Sequence, residues 1–134
     1  MKTYKSILTL AGFALLFAAC QEKVVIEDSP LVTIKAPTKD QVLHTQDSIK
    51  VDAQIDTKNS PVENYRVDIK SKKGKMIASF QSFVNSDSIV NGALPIKRTF
   101  FHKVDKSTDL VLEITAKLKS GNEVREAITF KLTK

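Results

Sequence analysis

The side chains able to do covalent or acid–base chemistry are few and scattered. One thiol, Cys20, and two histidines, His44 and His102, are present among 134 residues. Catalysis requires a nucleophile or metal with a base positioned beside it. Neither histidine stands in an HxH or HExxH spacing, so a zinc site is not expected. No serine sits in a GxSxG elbow. Asp109 and Glu113 lie four apart on a strand-like run and so share one outward face. Paired carboxylates can hydrolyse glycosides, but on an open strand face they are simply solvated. Asp105 with Asp109, and Asn85 with Asp87, lack the dense oxygen spacing of a calcium loop. The expectation is a non-catalytic chain, with no catalytic residue, no metal ligand and no cofactor.

The thiol has a different use. Lys2 and Lys5 precede an apolar run from Ile7 to Phe17 broken only by Thr9 and Gly12, and Ala18 and Ala19 follow. A basic start, a short apolar stretch and small residues are the parts of a secretory signal. The run is shorter than the roughly 20 residues that cross a bilayer. Phe17-Ala18-Ala19-Cys20 resembles the lipobox of bacterial lipoproteins, with Phe17 in place of the commoner Leu. The resemblance implies cleavage between Ala19 and Cys20 and acylation of Cys20, a membrane-lipid anchor on the outer membrane. More than one acyl chain makes such an anchor stable, since each buried CH₂ contributes about 0.8 kcal/mol.

Three segments follow: residues 1–19 as signal peptide, 20–30 as lipidated cysteine and tether, and 31–134 as one domain. The tether holds Glu22, Lys23, Glu27, Asp28 and Ser29 around Val24-Val25-Ile26, which could pair as an edge strand. Acidic and polar residues after the cysteine also resemble the surface-export signals of some Gram-negative lipoproteins. Removing residues 1–19, with Lys2 and Lys5, lowers the formal charge from +6 to +4. The basic residues are dispersed except for Lys70, Lys72, Lys73 and Lys75 around Gly74, which read as a solvated hairpin tip and not as a nucleic-acid patch. With its one cysteine committed to lipid, the domain has no disulfide and must stand on its apolar core, which about 100 residues can supply.

The domain alternates. Val32 and Ile34 oppose Thr33 and Lys35 before Ala36-Pro37. Ile49, Val51, Ala53 and Ile55 oppose Lys50, Asp52 and Gln54. Tyr65, Val67 and Ile69 oppose Arg66, Asp68 and Lys70, with a hairpin over Ser71–Gly74 into Met76–Phe80. This period of two is the mark of half-buried strands. Phe83 to Pro95 is the least legible stretch, with a loop over Asn85–Ser88, and a further strand is expected from Ile96 to Val104. Leu110, Leu112, Ile114, Ala116 and Leu118 form one face, and Ser120-Gly121-Asn122 turns into Val124, Ile128, Phe130 and Leu132. Glu126 interrupts that last face, which calls for an edge position or a bulge.

About seven short strands with turns at close spacing predict an all-β antiparallel sandwich. Pro30-Leu31-Val32-Thr33-Ile34 with Pro37, Asp47-Ser48-Ile49, Asn64-Tyr65-Arg66-Val67, and Asp109-Leu110 to Ala116 with Gly121-Asn122 resemble the immunoglobulin-like domains of Bacteroidota surface lipoproteins. The resemblance covers most of residues 30–134 and implies the fold and the cell-envelope setting, not an activity. In such domains the loops at one end carry recognition. No Trp is present and Tyr65 has core parity, so a glycan platform is less expected than a protein partner. Phe100 and Phe101 are the proposed partner contacts, because adjacent residues on a strand cannot both face the core. Two roles are open: a binding or adhesive module, or an accessory or structural subunit of a periplasmic or envelope complex.

Overall fold

The structure is a computed structural model that describes residues 31–58 and 60–134. Cys20, Ala19, the signal peptide, the tether and the proposed pairing of Val24–Ile26 lie outside the described residues. Eight strands follow in chain order: β1 (Val32–Ala36), β2 (Val42–His44), β3 (Ile49–Asp56), β4 (Val62–Ser71), β5 (Met76–Phe83), β6 (Ala93–Phe100), β7 (Thr108–Leu118) and β8 (Glu123–Thr133). A single 3₁₀ turn, Ser86–Ser88, lies between β5 and β6.

The strands form a three-stranded sheet in the order β1-β3-β6 and a five-stranded sheet in the order β2-β8-β7-β4-β5. Pairing is antiparallel except for β2, which runs parallel to β8 over Lys131–Thr133. The parallel pair has a simple origin. The first strand leaves the small sheet at Ala36, turns through buried Pro37, and rejoins the other sheet as β2. The expected count of about seven therefore becomes eight. The result is an immunoglobulin-like β-sandwich.

The alternation places the core as expected. Ile49, Val51, Ala53 and Ile55 on β3 face Leu110, Leu112, Ile114, Ala116 and Leu118 on β7 and Tyr65, Val67 and Ile69 on β4, all buried. Phe130 and Leu132 complete the layer from β8. Glu126 is exposed opposite Ile114, on a part of β8 that β2 does not reach, so it occupies a sheet edge.

Two segments depart from the expectation. The strand expected over Ile96–Val104 runs instead from Ala93 to Phe100. Its end is earlier because Phe101 leaves the sheet while Val104 returns to the core, its N–H reaching Thr45 Oγ1 at 3.4 Å. Its start is earlier because Asn91-Gly92 makes a two-residue turn, with φ of 53° and 77°, and Val90 and Ala93 exchange backbone hydrogen bonds of 2.8 and 3.0 Å. Two successive left-handed residues are the signature of a type I′ hairpin, for which Asn-Gly is the preferred pair. A Cβ on Gly92 would also stand 2.7 Å from Lys58 Cγ, a flexible neighbour able to move aside. Gly92→Ala is accordingly expected to cost about 1–2 kcal/mol, chiefly from the left-handed backbone. A urea midpoint unchanged within error would show that the turn relaxes.

Candidate functional site

β3 defines the long axis of the sandwich, and its two ends separate the features that matter. At one end Leu31 C=O accepts the Asp56 N–H at 3.0 Å, so the chain enters the domain there. At the other end Ile49 pairs with Phe100, and Phe101 follows immediately. Eight residues of strand at about 3.3 Å each put Phe101 roughly 25 Å from Leu31.

The parity argument for the two phenylalanines holds. Phe100 is half-buried against the core, while Phe101 is 81% exposed, more than any other large apolar side chain among the described residues. Phe101 shares a shallow depression with Thr45, Gln46, His102 and Lys103. His44 sits on β2, with Nδ1 3.0 Å from the hydroxyl of Thr133. Thus His44 has a structural partner and His102 lies beside the exposed ring.

Beside Phe100 lies a groove of about 540 Å³ that no single strand predicts. It opens where β6, the edge of the small sheet, faces β5, the edge of the large one. Arg98 has the inward parity of Leu94 and Ile96, yet no strand covers it there. Its guanidinium instead lies 3.6 Å above the centroid of Phe80. Phe80 leans in turn on buried Tyr65, with ring centroids 6.3 Å apart and planes tilted by 46°. Cation–π stacking of this kind contributes about 0.5–1 kcal/mol at an exposed site. Lys50, Lys97, Thr99 and Asp52 form the outer lip.

The electrostatics of the two sheets differ. All six ion pairs among the described residues lie on the five-stranded sheet or its β4–β5 turn. Lys50, Lys97 and Arg98 join none of them. The carboxylates considered above for acid–base work are part of that paired set. Glu113 holds Lys70 at 3.1 Å, and Asp109 lies between Lys72 at 3.2 Å and Lys131 at 4.0 Å. Among the described residues no three of His, Cys, Asp and Glu converge as metal ligands.

Besides Thr115, which is buried at an outward position of β7, Asp68 is the polar residue the alternation does not explain. Its outward parity is correct, but it is fully buried, held by Arg66 Nε at 2.7 Å and Ser79 Oγ at 2.6 Å. The hydrogen bond and the charge of Asp68 raise the Arg66 guanidinium further above its already high value. The arrangement is a clasp across β4 and β5 that fixes the strand carrying Phe80. Neither this clasp nor the groove is visible in one strand's pattern, because both depend on which strands become neighbours.

No family model matches the chain, and no curated protein matches it. Among solved structures, the fibronectin(III)-like modules of Clostridium thermocellum CbhA align with 18% identity and a TM-score of 0.47, over 76% of this chain and 94% of theirs. CopC from Methylosinus trichosporium OB3b aligns with 13% identity and a TM-score of 0.49, over 77% of this chain and 94% of its own.

Proposed function

We propose that this chain is a lipid-anchored cell-envelope protein whose sandwich is a non-catalytic binding module for a protein partner. The observation that carries the proposal is the position of Phe101. An apolar ring that is 81% exposed stands at the end of the sandwich opposite Leu31. A tether joined at Leu31 and held by Cys20 turns that ring away from the membrane by the length of the domain. The lipobox-like Phe17–Cys20 supplies the anchor in this reading.

Phe101→Ser tests the surface. An exposed aromatic at the centre of an interface contributes 2 kcal/mol or more, so capture of the envelope partner is expected to weaken by about tenfold or beyond. The urea midpoint should stay put, because Phe101 adds little to the core. Capture unchanged by the substitution would remove Phe101 from the interface. Protease shaving tests the setting. Loss of the domain from intact cells supports the outward-facing module. Protection until lysis favours an accessory subunit on the periplasmic side, and a soluble, unlipidated product overturns the anchor.

A further inference from the structure

The free edge of β6 has backbone groups that the sandwich does not use, and their positions follow from the hydrogen bonds around them. Ala93 gives its N–H and C=O to Val90, away from its partner Asp56 on β3. Alternation then turns the N–H and C=O of every second residue, at 95, 97 and 99, toward the same open side. Pro95 has no N–H to offer, so this end of the edge is blocked by the Val90 bridge and by proline. Lys97 and Thr99 remain, both exposed, each with one donor and one acceptor directed off the sheet.

The side chains beside those groups sort by face. Phe80, Arg98 and Phe100 line the groove on the inner side, and the outer lip carries Lys50 and Lys97 against the single carboxylate of Asp52, a net positive balance. A strand laid against Lys97 and Thr99 would place alternate residues against aromatic rings and against unpaired cations. We infer that the β6 edge of this module accepts an extended acidic peptide as an added strand, apolar residues toward Phe80 and Phe100 and carboxylates toward Lys50 and Lys97. Strand addition of this type draws affinity from main-chain hydrogen bonds and selectivity from alternate side chains. The inference deepens the binding role proposed above by naming the chemistry of the partner segment.

The test uses the full chain and a synthetic (Glu-Val)₄ peptide, followed by hydrogen–deuterium exchange. Amides free at a sheet edge exchange quickly and slow when paired. Slowing confined to residues 96–101 is the expected result. The same peptide with alternate backbone nitrogens methylated, and a (Lys-Val)₄ peptide, should each bind about tenfold more weakly or worse. Thr99→Pro removes an edge donor that β3 does not use. The double substitution Lys50→Glu with Lys97→Glu leaves the backbone intact and should cut binding just as far, so the test survives if the proline variant misfolds. Equal binding of the methylated peptide, or protection elsewhere, would overturn the inference. So would slowing at residues 96–101 that tracks protein concentration without peptide, since a second copy would then be the occupant. If Phe101→Ser abolishes partner capture while these amides stay unprotected, the binding role stands and the strand-addition mode falls.

Discussion

Phe130→Ala is expected to destabilise the domain by about 3–5 kcal/mol, a large fraction of the roughly 5–15 kcal/mol that holds a domain of this size. Phe130 is 1% exposed and heads the fully buried side chains by volume. It pairs with Leu110 across β7–β8. Its removal therefore costs transfer free energy and leaves a cavity between sheets whose positions are fixed by many other contacts. The urea midpoint should fall sharply with an unchanged slope, because the surface exposed on unfolding is nearly the same. A loss below about 1 kcal/mol would mean that the layer collapses to fill the space, which close-packed interiors resist.

Asp68→Ala is expected to cost about 2 kcal/mol, from the loss of two hydrogen bonds to a charged acceptor. The cost is limited by where its partners lie. The Arg66 side chain is 43% exposed and Ser79 is exposed, so both regain water when the carboxylate goes. Adding Ser79→Ala to Asp68→Ala should cost little more than Asp68→Ala alone, since the two side chains share one bond at 2.6 Å. Strict additivity in chemical denaturation would show that the clasp is not a unit. Asp68→Asn, which keeps an acceptor for Ser79 but not the charge, should fall between wild type and alanine.

Legibility followed strand length and isolation. β3 and β7 were plain because, over eight and eleven residues, every second position is apolar (in β7 from Leu110 on), and burial follows that alternation throughout β3 and along β7 apart from buried Thr115. β2 was not legible because three residues cannot display a period, and its parallel pairing depends on a chain path set by Ala36-Pro37. The Asn91-Gly92 hairpin was missed although the pair is a strong turn signal. Val90 offers one bridged residue before it, and a hairpin is recognised by two alternating arms. For the site, parity required one of Phe100 and Phe101 to be exposed without choosing between them, and the exposed ring is Phe101, just beyond the end of β6. Parity gives the side of a sheet but not what covers it. That is why the outward parity of Asp68 gives no sign of its burial, and why Arg98 has no assigned place until β5 and β6 are seen as facing edges.

The splitting of the first strand between the sheets has a mechanical consequence. A load applied at Leu31 and resisted near Phe101 runs parallel to β1 and β3. Their backbone bonds, from Val32 opposite Ile55 to Ala36 opposite Asp52, are then strained together in shear. A load that separated Leu31 from Asp56, at one end of the domain, would open those bonds singly like a zipper. Beyond Pro37 the chain is held again, in the other sheet, by β2 along β8. Force along the long axis thus meets two successive points of attachment in different sheets before it reaches the core. Under the anchoring proposed above, a pull between membrane and partner would load the domain in this stronger direction.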